Sequence, residues 1–190
     1  MKKIVLASAS PRRRQLLDQI GLKYEIKPST VRETSKSNLA PKEMAMEFAK
    51  LKALDVANNE INSIVIGSDT LVFMDEILGK PKDEDHAFEI LQQLSGKFHY
   101  VYTGIAVIDT ATDKIIVDYE QTKIKMKRLS AKEIRGYISS GEPMDKAGAY
   151  GIQGLGSVFV EKIEGCYFNV VGLPVFKLCS ILDKFGVEIF

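Results

Sequence analysis

The chain has 190 residues, enough for one sizeable α/β domain with a real core or two lobes sharing one, and its 45% hydrophobic and 27% charged residues are ordinary for a soluble globular protein rather than a disordered one. Its 26 basic and 25 acidic residues nearly cancel, and a formal charge of +1 argues against a protein that coats nucleic acid. Two cysteines (Cys166 and Cys179) with no CxxC pair and two histidines (His86 and His99) exclude a zinc framework. A reducing compartment is the expectation, since the N-terminal apolar stretch is too short for a secretory signal and no run reaches the roughly 18 residues of a membrane span.

KIVLA (3–7) is expected as a buried strand. It leads into a helix over PRRRQLLDQIG (11–21), with Ser10 as N-cap, Pro11 at the first helical position and Gly21 as the stop. Arg12, Arg13 and Arg14 fall in the first turn of that helix, where the macrodipole is already positive, so the turn calls for an anion. YEIKPS (24–29) predicts a short strand, residues 31–40 a polar loop, and Pro41 opens a long helix to Ala57. SIVIGSDTLVFMDEILGKP (63–81) predicts a buried strand, a break at GSDT, and a hairpin turning at Met74-Asp75-Glu76.

A helix is expected from Asp83 to Gly96, then two long paired strands, 98–109 and 115–128, around TATDK. SAKEIRGYISSG predicts another helix, with a capping box in Ser130 and Glu133. A glycine-dense loop (144–157), two strand-like runs (SVFVEKI and CYFNVV) and a last helix from Pro174 complete the chain. Helices interleaved with strands and one long hairpin give a mixed sheet in a single domain, 1–190.

Four segments carry groups capable of chemistry. Ser8 to Arg13 combines a strand-to-helix turn with two arginines, whose forked donors match phosphate oxygens. Asp69 of GSDT follows a buried strand, where open α/β sheets place ligands, and suits a divalent cation or a proton from water. Glu33 in the polar loop is a second acid, and Lys80 of LGKP and Lys52 on the long helix are two ammonium groups. MDKAGAYGIQGLGS lets backbone approach a ligand but fits neither GxxxxGK[ST] nor a strand-GxGxxG-helix unit. Cations with one or two carboxylates and almost no histidine favour metal-assisted phosphoryl or nucleotidyl chemistry over a serine or cysteine nucleophile. The residues alone stop at a polyphosphate ligand and a divalent ion.

SASPRR, Glu33, GSDT, GKP and above all EPMDKAGAYGIQG resemble the signatures of the Maf family of nucleoside triphosphate pyrophosphatases, from residue 4 to Gly172-Leu173-Pro174. The resemblance implies a mixed α/β fold like that of the inosine-triphosphatase-like enzymes, with two lobes around a central cleft. It implies a cytoplasmic hydrolase that splits a nucleoside triphosphate into monophosphate and pyrophosphate with magnesium or manganese, as a housekeeper of the nucleotide pool linked to arrest of septum formation. Thr70 after the acid and Gln153 in GIQG, with Arg12, are the specificity positions of the branch acting on dTTP and UTP, with modified pyrimidines as further candidates.

On that reading Ser8, Arg12 and Arg13 hold the phosphates, and Lys52 and Lys80 offset charge on departing pyrophosphate. Glu33 and Asp69 hold the metal, and Asp69 is the proton acceptor; which acid ligates and which deprotonates stays open. Arg14 lies outside the motif and is expected to be solvated. Gln153 offers an NH₂ donor and a C=O acceptor to the O4 and N3–H of uracil or thymine. The resemblance leaves room for a homodimer and calls for neither nucleic acid nor membrane as partner. The competing function is a non-catalytic nucleotide-binding regulator of cell division.

Overall fold

A computed structural model describes residues 2–31 and 39–189. The buried run Ile4–Leu6 forms most of β1 (Lys3–Leu6), and α1 (Pro11–Gln19) follows with Pro11 at its start. Gly21, at φ +69°, stops that helix, its amide donating to Asp18 O at 3.0 Å. Next come β2 (Glu25–Ile26), α2 (Pro41–Ala57), β3 (Ser63–Met74) and β4 (Glu76–Leu78). The Asp83 carboxylate accepts the His86 amide at 2.8 Å and caps α3 (Glu84–Leu94). β5 (Phe98–Asp109) and β6 (Lys114–Met126) are the two long strands, and α4 (Ala131–Ile138) begins at the expected Ser130/Glu133 capping box. Three 3₁₀ turns (Glu142–Asp145, Ala147–Ala149, Leu155–Phe159), β7 (Val160–Glu164), α5 (Tyr167–Val171) and α6 (Val175–Asp183) complete the order.

The described strands form one seven-stranded sheet in the order β2-β1-β3-β5-β6-β7, with β4 on β3. It is mixed, as expected: β1 runs parallel to β2 and β3, whereas β4 is antiparallel to β3 and β7 to β6. The chain makes two compact units. The first comprises residues up to Asp69, Thr103–Glu120 and the stretch from Gly172; the second comprises Thr70–Tyr102 and Gln121–Val171. In the first, α2 buries Ala49 and Ala53 against Val5, Val65 and Ala106. In the second, α3 packs on α4 around Leu91, Leu94, Ile124, Met126 and Ile134. Among the described residues no helix is long and apolar enough to cross a membrane.

Three local expectations fail. GSDT does not break the strand: β3 runs through it from Ser63 to Met74. Neighbouring strands supply what glycine, serine and aspartate lack in strand preference. CYFNVV is not a strand, because Tyr167–Val171 turns as α5 with Asn169 donating to Val101 O (3.0 Å) and Thr122 Oγ1 (2.9 Å). SVFVEKI is a strand only from Val160; its first residues belong to a 3₁₀ turn.

Candidate active site

In the first unit, the chain leaves β1 and bends through Ser8-Ala9-Ser10 into α1. Ser10 caps no amide with its side chain, contrary to expectation; its own N–H donates to Ser8 Oγ at 3.2 Å. Arg13 Nη1 donates to the same oxygen at 3.0 Å, so both acceptor sites of the Ser8 hydroxyl are filled and its proton is left to donate. Arg13 is buried, and its Nε donates to Gly172 O at 2.9 Å. Arg12 is half-buried. Arg14 is half-buried rather than solvated, with its Nε screened from water and its carbonyl accepting from Tyr24 Oη at 3.2 Å.

The last bond between β1 and β3 runs from the Ala7 amide to Ile66 O at 2.8 Å, so Gly67, Ser68 and Asp69 lie just beyond the carboxyl end of the parallel pair. Ser68, fully buried, donates its hydroxyl to Gly172 O at 3.2 Å, the carbonyl that Arg13 already holds. Gly67 and Asp69, two residues apart, share the opposite face of the strand. That face meets α2. A Cβ on Gly67 would stand 2.3 Å from Ala49 O and 2.8 Å from Ala53 Cβ, so the helix rests directly on the strand backbone. Gly104 does the same beneath Ala45. This approach brings Lys52 to Asp69: Nζ lies 2.6 Å from Oδ1, with both side chains largely buried. The lysine expected to face pyrophosphate is thus first of all the carboxylate's partner.

The first unit therefore holds two contacts among the expected residues, Ser8 with Arg13 and Lys52 with Asp69, and Arg12 lies at the same helix start as Arg13. Glu33 lies outside the described residues. The second unit holds Thr70, Lys80 and Gln153; Lys80 and Gln153 are exposed, and Thr70 is half-buried.

Gln153 sits in a segment that is built rather than loose. The Glu142 carboxylate accepts from Tyr137 Oη (2.8 Å), the Leu155 amide (2.8 Å) and the Gly156 amide (3.1 Å), while Tyr137 Oη accepts the Gly151 amide at 3.0 Å. Burial pushes the Glu142 carboxyl up, but the two amides, the phenol and nearby Lys146 outweigh it and leave the group below its ordinary range. Burial, then Glu142, raises the Tyr137 phenol. A Cβ on Gly154 would meet Glu142 Oε2 at 2.3 Å. That glycine therefore makes room for a carboxylate of the same chain, not for a ligand. In the same unit Tyr150 Oη and His99 Nε2 share a hydrogen bond of 2.7 Å, and burial lowers the imidazole pKa to about 4.

Sequence reasoning overlooked Gly67, Ser68, Gly172 and Glu142. Ser68 and Gly67 lay inside a recognised motif, and Glu142 opens another. Nothing local marks Gly172 as the acceptor for Arg13, 159 positions away.

Asp69 supplies a hard oxygen donor suited to magnesium or manganese. The described residues contain no group of three or more histidine, cysteine, aspartate or glutamate side chains able to cage an ion. Such a donor set fits magnesium's habit of binding through one or two carboxylates and the substrate's own phosphates.

A family model described as Maf-like protein matches residues 3–185. Among curated relatives, a dTTP/UTP pyrophosphatase of Alkaliphilus oremlandii is 55% identical, covering 96% of this chain and 95% of its own. A protein of the same name from Bacillus cereus is 49% identical over 100% of this chain and 93% of its own. The solved structure of the Staphylococcus aureus Ham1 protein aligns at a TM-score of 0.49 and 17% identity, covering 66% of this chain and 72% of that one.

Proposed function

We propose, from the premise that this chain belongs to the Maf-like protein family, that it is a nucleoside triphosphate pyrophosphatase acting on dTTP and UTP. The names of its full-length relatives support the substrate class. One observation carries the assignment of the reacting groups: Arg13 of the anion-binding turn and Ser68, next to Asp69, bond the same Gly172 carbonyl. The turn is thus fixed to the strand that carries Asp69, on the face opposite that carboxylate, within the first unit.

In the proposed reaction a water oxygen attacks the α-phosphorus, the bond from that phosphorus to the α,β-bridging oxygen breaks, and nucleoside monophosphate and pyrophosphate leave. Asp69 takes the proton of the attacking water, and Lys52 fixes the carboxylate's orientation. Ser8 offers its remaining O–H, and Arg12 its charge, to the phosphates, with Arg13 as their support. Lys80 offsets charge gathering on pyrophosphate. Magnesium or manganese, held by Asp69 and Glu33, would supply charge neutralisation and a more acidic water when bound. Gln153 pairs with O4 and N3–H of the base, with Thr70 and Arg12 as further specificity positions. The cytoplasm is the compartment consistent with nucleotide-pool work of this kind.

The test is incubation with each nucleoside triphosphate and magnesium, quantifying pyrophosphate against orthophosphate. Pyrophosphate from UTP and dTTP is expected. Orthophosphate would mean γ-phosphate removal instead, and neither product, with nucleotide still bound, would favour a regulator of division.

A further inference from the structure

Gln153 is exposed in the middle of a segment tied to the Glu142 carboxylate directly at one end and through Tyr137 at the other. At one end the Gly151 amide is held by Tyr137 Oη, which donates in turn to Glu142 Oε1. At the other, the Leu155 amide donates to Oε2 and the Gly156 amide to Oε1. Three donors converge on this carboxylate, and only an acceptor-only group satisfies them all. A carboxamide of the same size would turn an NH₂ toward one of the amides. The fastening is also tight, since Gly154 passes so close to Oε2 that even a methyl group there would overlap it. Glu142 itself is half-buried and lies outside the groups assigned to bind or react with substrate.

We propose that Glu142 is the positioning residue for base selection: its carboxylate clamps residues 151–156 and thereby sets the pose in which Gln153 meets the pyrimidine edge. The inference rests on the dTTP/UTP reading above. With the clamp released, the Gln153 carboxamide no longer presents donor and acceptor in fixed register with O4 and N3–H. Rejection of cytosine, which reverses the first group and lacks the second, then weakens.

The test uses the full-length protein as Glu142→Gln and Tyr137→Phe. For each, kcat and KM are measured on UTP and CTP by pyrophosphate release, and hydrogen–deuterium exchange is followed at the loop amides. Glu142→Gln is expected to lower the UTP-to-CTP ratio of kcat/KM at least tenfold, more through KM for UTP than through kcat. The Leu155 and Gly156 amides should exchange at least tenfold faster. Tyr137→Phe keeps both of those bonds but loses the Gly151 tie and the phenol's own bond to Oε1, so its ratio should fall a few-fold; it decides the matter if Glu142→Gln does not fold. An unchanged ratio in the folded variants, or unchanged exchange at 151–156, overturns the clamp. A wild type that releases no pyrophosphate from any nucleotide overturns the function reading and the base-selection role with it, and exchange then reads the clamp alone.

Discussion

Gly67→Ala adds one methyl group at the point where α2 rests on β3. The new Cβ would lie 2.3 Å from Ala49 O, against a limit near 3.0 Å for real contacts, so the gap must open by about 0.7 Å. The obstacle is helix backbone, which cannot swing aside as a side-chain tip can. If the helix retreats by that amount, Lys52 Nζ moves from 2.6 Å to about 3.3 Å from Asp69 Oδ1, outside the range of a strong charge-assisted bond. Overpacking of this kind costs about 1–3 kcal/mol. At roughly 2–4 °C per kcal/mol for a chain of this size, Tm should fall by about 2–12 °C. Turnover should fall about 10–100-fold, since a displacement of about 1 Å in a reacting group can cost about 100-fold. Calorimetry and pyrophosphate release measure the two effects. Ala53→Gly in the same background removes only the lesser contact and should restore little of either. A Gly67→Ala protein within 2 °C and twofold of wild type would refute the claim that this glycine sets the Lys52–Asp69 geometry.

Asp69→Asn should lower turnover by about 10²–10⁴-fold and also lower Tm, because the buried Lys52 ammonium loses its counter-charge; near-normal pyrophosphate release would remove Asp69 from the base role. Gln153→Glu should shrink the UTP-to-CTP ratio of kcat/KM, and an unaltered ratio would take base reading away from Gln153. His99 titrates near 4 when folded and near 6.5 when unfolded, so the unfolded chain binds the extra proton between those values and stability drops as pH falls through them. Urea denaturation at pH 7 and pH 5 should show a loss of about 2 kcal/mol that His99→Phe largely abolishes; an equal loss in the variant would place the proton uptake elsewhere. Glu133 is held down to about 2, by Lys127 first and then by Ser130, so its contribution is present above the ordinary carboxylate range and disappears toward pH 2. The Tm difference between wild type and Glu133→Gln should accordingly narrow from pH 6 to pH 2, and a constant difference would argue against the capping-box carboxylate as its source.

Most elements were legible because local chemistry announced them: Pro11 and Gly21 around α1, Asp83 before α3, and the Ser130/Glu133 box before α4. Misreadings came where tertiary contacts outvote propensity. GSDT reads as a break after the strand because strand neighbours are invisible in sequence, yet Asp69 continues β3 beyond the end of β1. Tyr167–Val171 has the composition of a strand but coils so that Asn169 can reach Val101 and Thr122. For the site, the motif named Ser8, Arg12, Arg13 and Asp69, which all fall in the first unit. The glycine-rich stretch was understood for the wrong reason: its openness looked like room for a ligand, whereas at Gly154 the space is taken by Glu142.

The Gly172 carbonyl has a bearing on biosynthesis. A guanidinium near the start of the chain and a hydroxyl about a third of the way along it both wait for an oxygen 159 positions downstream of Arg13. A ribosome adding about 5–20 residues per second needs on the order of ten to thirty seconds to bridge that interval. Until then the nascent chain holds the turn's arginine without its anchor, so the turn is completed only once residue 172 has been made.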